Sequence, residues 1–117
     1  MKTPRQNLIR NLDLPSFQNK VNQSEDVVLD DIIYLQASVN YTIFFLRNGK
    51  KIITSCSLNK YKKLETFNFV RTHKSFIINV LHIEVFNFKN CFLTMNNGEN
   101  IDISRRRMAK LRKAITN

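Results

Sequence analysis

The 117-residue sequence predicts a mainly β domain with one or two short helices. Short segments rich in β-branched and aromatic residues recur from Val27 onward, which is typical of strands. Two Asn-Gly pairs lie between such segments, and this pair favours a tight type I′ hairpin turn in which both residues have positive φ. Two other segments place their apolar residues at helical spacing. A chain of this length is expected to form one domain with a substantial core.

The predicted strands are separated by short polar turns. Asn48-Gly49 and Asn97-Gly98 are the two hairpin turns, and Lys89-Asn90 is a weaker one. Residues 1–26 are interpreted as a tail or linker remnant with a short packed turn around Leu12-Leu14, and residues 27–117 as the domain. The strands are predicted at residues 30–36, 41–47, 50–56, 82–88, 90–95 and 99–103, with two more ending at Phe69-Val70 and beginning at Phe76.

A first helix is predicted at residues 57–65. Ser57 is suited to the N-cap position because its hydroxyl can accept from a free N–H of the first turn. Three apolar residues then follow at three-residue spacing. They are Leu58, Tyr61 and Leu64.

A second helix is predicted at residues 104–115, again beginning with a serine, Ser104. At 100° per residue, its apolar and basic residues fall on opposite faces. Three arginines occupy the first turn, where the helix dipole favours acids, so helix stability alone does not explain them. Binding of these arginines to phosphates or base edges would explain their position. The alternative is a basic helix face that is exposed to solvent and binds no ligand. The apolar face has Met108, Leu111 and Ile115, and the basic face has Arg106, Lys110 and Lys113.

Charge is strongly unbalanced toward cations. Nineteen Lys and Arg against nine Asp and Glu give a formal net charge of +10. Residues 104–117 contain six basic residues and no acid, whereas residues 24–31 contain four of the nine acids. This polarised distribution indicates a docking face for a polyanion. A basic surface that is solvated and has no partner is the alternative.

A polar insert, Arg71-Thr72-His73-Lys74-Ser75, interrupts an apolar region and predicts a connector at the edge of the domain. Within it, Thr72-His73-Lys74 is expected to be a tight turn between two strands, and rigidly held turns often carry binding residues. Arg71 either pairs with a carboxylate inside the fold or contacts phosphate. His73 either bonds the backbone of the connector or faces the ligand, and Lys74 is the stronger candidate for contact. Asn40 and Tyr41 lie between two other strands. An asparagine there can bind adenine with two hydrogen bonds, and a tyrosine can donate to a phosphate.

The sequence offers little for catalysis or metal binding. His73 and His82 are the two histidines, and no nucleophile elbow, phosphate loop or H-E-x-x-H motif is present, so neither an enzyme nor a cofactor is expected. Cys56 and Cys91 are expected to be buried and reduced, and they lack the paired spacing of structural zinc ligands. No apolar run approaches the ~20 residues of a membrane span, and no signal peptide is recognisable, so a cytoplasmic location is expected.

Three motifs of the sequence occur in a set order and spacing. An Asn-Tyr-Thr follows the first strands, and a serine-led basic segment, ISRRRMAKL, follows the last hairpin. The most specific motif is F-x-R-x-H-x-S-x-x-x-N, formed by Phe69, Arg71, His73, Ser75 and Asn79. Together the three motifs resemble the LytTR family of bacterial DNA-binding domains, and the likeness runs from about Val27 to Ile115.

The resemblance implies an elongated body of small antiparallel sheets whose loops, rather than a recognition helix, enter the major groove. Family members usually regulate transcription, often on tandem repeats and with DNA bending. Residues 1–26 are too short for a receiver domain, so a stand-alone regulator and a domain of a longer protein both stay open. The implied groove contacts are Asn40 or Tyr41, Lys74 next to His73, and Arg106 with Arg105 nearby.

We therefore predict a transcription regulator that binds double-stranded DNA sequence-specifically, with a homodimer on DNA as one option. Two alternatives come from other classes: an RNA-binding basic β module, and an interaction domain for an acidic partner. RNA readers stack bases on exposed aromatic residues. Most phenylalanines of this sequence lie inside apolar strand segments, which argues against such a platform.

Overall fold

A computed structural model describes residues 8–12 and 27–116, and within them eight strands form two antiparallel sheets. The mainly β fold class predicted from the sequence is confirmed. The larger sheet has the order β3-β2-β1-β5-β4, and its strands are β1 (Ile32–Ser38), β2 (Tyr41–Leu46), β3 (Lys51–Thr54), β4 (Phe69–His73) and β5 (Phe76–Asn79). The smaller sheet has the order β6-β7-β8, with β6 (Ile83–Asn87), β7 (Phe92–Met95) and β8 (Asn100–Asp102).

Helical structure is confined to short segments. The predicted first helix is a kinked 3₁₀ helix, Leu58–Phe67, rather than an α-helix. Its three buried apolar residues recur every third position, which matches the 3.0 residues per turn of a 3₁₀ helix better than 3.6. The second helix begins as a 3₁₀ turn, Arg105–Arg107, and continues as α1 (Met108–Thr116). Further 3₁₀ turns are Ile9–Leu12, Leu29–Asp31 and Val80–His82.

Both Asn-Gly turns form, but the predicted type I′ geometry is wrong. Gly49 has a φ of 88° and Gly98 a φ of 91°, whereas neither preceding asparagine has a positive φ. The Gly49 N–H donates to the Leu46 carbonyl at 3.0 Å, and the Leu46 N–H donates to the Lys50 carbonyl at 3.0 Å. This pattern is a three-residue loop whose last residue is left-handed, the conformation that glycine adopts without steric cost.

Both faces of the larger sheet are covered. One face packs against the 3₁₀ helix Leu58–Phe67, and the other packs against the smaller sheet and α1. Strand β1 contributes to both cores, with Leu35 in the first and Tyr34 in the second. A strand that is buried on both sides needs apolar residues at successive positions. This explains why the segment Ile32–Leu35 is apolar throughout instead of alternating.

Part of the N-terminal region packs on this body. Ile9 is buried, and its N–H donates to the Val27 carbonyl at 2.8 Å. Leu12 packs against the same core, while Leu14 lies outside the described residues. The division at residue 26 between tail and domain stays a prediction.

Cys56 and Cys91 are half-buried and are not joined by a disulfide, so the expectation that both thiols are buried is corrected. His82 is buried, and its ring nitrogens contact the Asp30 carbonyl and the Asn96 side-chain amide. In the described part of the chain, no three His, Cys, Asp or Glu side chains are grouped to hold a metal ion. None of the described helices has the length and apolar character needed to span a membrane.

Candidate nucleic-acid interface

Two turns lie at the same end of the larger sheet. Val39-Asn40 joins β1 to β2, and Lys74-Ser75 joins β4 to β5. Strands β1 and β5 are antiparallel with Gln36 opposite Phe76, so both turns extend beyond one end of the sheet. The Ala37 N–H, near the end of β1, donates to the Ser75 carbonyl at 2.8 Å, which holds the Lys74-Ser75 turn beside the end of β1.

The basic turn Arg105–Arg107 is joined to this end as well. The Ser104 N–H donates to the Thr72 carbonyl at 2.7 Å, one residue before β4 ends. His73 and Arg105 both line one open recess. The fold therefore brings together the three segments in which the sequence predicted site residues. We call this set of three turns, residues 39–40, 74–75 and 105–107, the turn face.

The connector between β4 and β5 is shorter than predicted. Thr72 is fully buried and His73 half-buried, and both belong to β4, so the turn itself is Lys74-Ser75. The pairing register with β5 shifts between Arg71 and His73. Such an irregularity bends a strand end and changes the direction in which its side chains point.

Arg71 holds this turn in place. Its Nε donates to the His73 carbonyl at 2.8 Å, and one terminal nitrogen donates to the Lys74 carbonyl at 2.6 Å. The other terminal nitrogen donates to Asn59 Oδ1 at 3.0 Å. Arg71 therefore bonds the backbone of the turn. The sequence-based alternative, in which Arg71 pairs with a carboxylate inside the fold, is wrong. Burial lowers the pKa of the Arg71 guanidinium, and the charge of Arg107 lowers it further.

His73 supports the same turn from within β4. Its Nδ1 accepts from the Ser75 N–H at 3.2 Å, which is the backbone-bonding alternative considered for this residue. Because Nδ1 accepts, the neutral ring carries its proton on Nε2. Asn79, the last residue of the same motif, is also internal, and its amide donates to the Ile32 carbonyl at 2.9 Å.

The predicted contact residues of the turn face are accessible. Asn40, Lys74, Arg105 and Arg106 are exposed, and Tyr41 is 50% exposed. The side chain of Ser104 forms no cap hydrogen bond, and its hydroxyl is buried, so the predicted capping role is wrong. Ser57 likewise lacks a cap bond.

Sequence reasoning passed over one residue of the turn face. Val39 lies at the tip of the β1–β2 turn, is 90% exposed and has a φ of 58°. It has no hydrogen-bonding side chain, so a search for polar contact groups does not select it. The available signal was a β-branched residue in a two-residue turn, where glycine or asparagine is usual.

A sheet-built body that presents cationic and polar turns on one side is typical of nucleic-acid-binding domains. The family model of the LytTr DNA-binding domain matches residues 22–116. The chain belongs to this family and is therefore a DNA-binding domain of the kind that regulates transcription.

A solved structure is similar to this chain. It is described as the LytTr DNA-binding domain of a proposed methyl-accepting/DNA response regulator from Bacillus cereus. The two share 27% sequence identity with a TM-score of 0.68, and the match covers 80% of this chain and 88% of that chain. No curated protein matches the sequence.

Proposed function

We propose that the protein regulates transcription by reading the major groove of duplex DNA through the turn face. The observation that carries this proposal is the joining of three cationic or polar turns at one end of a rigid sheet. Backbone hydrogen bonds join β1 to the Lys74-Ser75 turn and Ser104 to β4, so the backbones of the three turns are held at a constant spacing. A preformed spacing lowers the entropic cost of binding a regular ligand such as a duplex.

Each contact residue has a role that its chemistry favours. Arg106, with Arg105 nearby, would bind guanine O6 and N7 with two parallel hydrogen bonds. Asn40 would pair with adenine in the same bidentate manner, and Tyr41 would donate to a phosphate. Lys74, beside His73, would supply a point charge to a phosphate or a base edge.

Electrostatics support a polyanionic ligand at this face. Burial and the nearby Arg107 charge lower the pKa of Arg71 and the Glu65 carboxylate raises it, so Arg71 and Arg107 repel each other and Glu65 offsets part of that repulsion. A phosphate brought near them would relieve this repulsion. Counterion release from DNA would add to the driving force.

We also propose that the protein binds tandem repeats in the bacterial cytoplasm, with two copies forming a homodimer on DNA. One turn face covers a short stretch of duplex, so a second copy on the adjacent repeat would increase specificity. We propose the cytoplasmic location because the proposed target, bacterial chromosomal DNA, lies in the cytoplasm.

Selection from a random duplex library tests the function. The expected result is enrichment of one short motif or a repeated pair, followed by a gel shift that favours this duplex over single strands and RNA. Enrichment of no motif, with binding to an acidic protein partner, would support the interaction domain instead. Preference for RNA would support the RNA-binding module.

Substitution of Arg106 distinguishes base reading from phosphate binding. Arg106→Ala should weaken binding to the selected site by about 1–3 kcal/mol and change binding to random duplex little. Arg47→Ala is the matched control, because Arg47 is exposed at the opposite end of the sheet, 3.4 Å from Asp31. Equal losses on both duplexes would make Arg106 a phosphate contact only.

A further inference from the structure

Val39 combines high exposure with an unfavourable backbone conformation. The side chain is 90% exposed at the tip of the β1–β2 turn, and its φ is 58°. A positive φ is sterically disfavoured for residues with a Cβ, and more so for β-branched ones. Because the side chain is exposed, packing in the core cannot offset the steric cost of this backbone conformation.

The two described hairpin turns that contain glycine avoid this conflict. The hairpin turns at the far ends of both sheets place glycine at the positive φ, at Gly49 and Gly98. Among the described non-glycine residues with positive φ, which are Val39, Asn68 and Cys91, Val39 alone is β-branched. Strained residues that persist in a structure are concentrated at functional sites.

The neighbours of Val39 point to a nucleic-acid ligand. Asn40 and Tyr41 follow it directly, and Ala37 is bonded to the turn that carries Lys74. An apolar side chain on a polar, cationic face matches a ligand that is mostly polar and anionic but has isolated apolar groups. The C5-methyl of thymine is the apolar group that base pairs expose in the major groove.

We propose that Val39 makes an apolar contact with the C5-methyl of one thymine in the target site. This inference rests on the proposed function and adds a specificity determinant that has no hydrogen-bonding group. The isopropyl group gives two methyls at a place where glycine would give none. Thymine is thereby favoured over cytosine, which has no C5-methyl.

Uracil substitution tests the contact, because deoxyuridine differs from thymidine only in lacking the C5-methyl. Each thymine of the selected duplex is replaced singly by deoxyuridine, and affinities are measured for wild-type protein and for Val39→Ala and Val39→Gly. At one position the wild type should lose about fourfold in affinity, the factor that corresponds to about 0.8 kcal/mol for one buried methyl-sized group. Both variants should be insensitive to uracil at that position.

Two controls separate a lost contact from a damaged fold. Val39→Gly removes the steric conflict, so its thermal midpoint should equal or exceed that of the wild type. Ile53→Ala truncates another exposed β-branched residue, 64% exposed on β3, and should keep the uracil sensitivity of the wild type.

Two results would overturn the contact without affecting the proposed function. One is a specific duplex whose thymines can all be replaced without loss, and the other is a uracil effect of equal size in wild type and Val39→Ala. Failure to select any duplex would overturn the proposed function and this contact together, and the selection step alone reveals it.

Discussion

At the scale of single residues, Arg71 and His73 determine how Lys74 is presented. Both side chains bond the backbone of the Lys74-Ser75 turn. Phe69 and Asn79, two other members of the motif, are buried. The motif therefore supports the turn, and Lys74, the exposed residue inside it, is a proposed DNA contact.

Replacement of Arg71 tests this structural role. Arg71→Ala should lower the free energy of unfolding by roughly 1.5–3 kcal/mol, because hydrogen bonds from a charged donor to two turn carbonyls are lost. Arg71→Lys should recover little, since an ammonium group cannot reproduce the planar fork. Urea unfolding measures both variants, with Arg47→Ala as an exposed control. Wild-type stability combined with uniformly weaker DNA binding would make Arg71 a phosphate contact instead.

At the scale of elements, α1 secures the basic turn that precedes it. Leu111 is fully buried against the smaller sheet and the larger one, and Met108 and Ile115 pack on the same side as predicted. The basic side chains of Arg106, Lys110 and Lys113 are exposed. Amphipathic spacing thus fixes the helix on the sheet and leaves its cationic face accessible.

Truncation of Leu111 measures this attachment. Leu111→Ala should lower the free energy of unfolding by about 2–5 kcal/mol, because it removes buried methyl groups and leaves a cavity. Leu81→Ala is the matched control, since Leu81 is 55% exposed and should change stability by less than about 0.5 kcal/mol. Similar small effects in calorimetry for both variants would contradict the packing of α1.

At the scale of the whole molecule, charge differs between the two ends of the larger sheet. Asp30 and Asp31 precede β1 and offset part of the positive charge of Arg47, Lys50 and Lys51 at that end, with Asp31 3.4 Å from Arg47. The turn face at the other end carries Lys74 and three arginines. A polarised field orients the protein before contact and increases the association rate. DNA would then approach the turn face first.

Salt dependence tests the orientation. The logarithm of affinity should fall linearly with the logarithm of salt concentration, with a slope of about −0.9 per phosphate contacted. Lys74→Ala should reduce the magnitude of this slope by about 0.9 if it contacts a phosphate. Lys50→Ala removes the same charge at the opposite end of the sheet and should leave the slope unchanged. Equal slopes for the two variants would exclude the turn face as the contact surface.

Prediction succeeded where the signal is local. Strand positions, the two Asn-Gly turns and the amphipathic segment after residue 104 follow from neighbouring residues, and all are present. The failures involved competition between similar conformations. A 3₁₀ helix and an α-helix share apolar spacing over one or two turns, and type I′ turns compete with three-residue loops that also need one left-handed glycine.

The sequence by itself determined the strands, the turns, the excess of positive charge and the family, because each depends on local pattern or composition. The tertiary structure alone decided that Val39-Asn40, Lys74-Ser75 and Arg105–Arg107 meet at one end. That outcome requires β5 to pair with β1 and Ser104 to bond Thr72, contacts between residues far apart in the chain. These pairings form because they bury both faces of the larger sheet at the same time. Burial of both faces depends on several distant segments, so the sequence of any one segment does not reveal it.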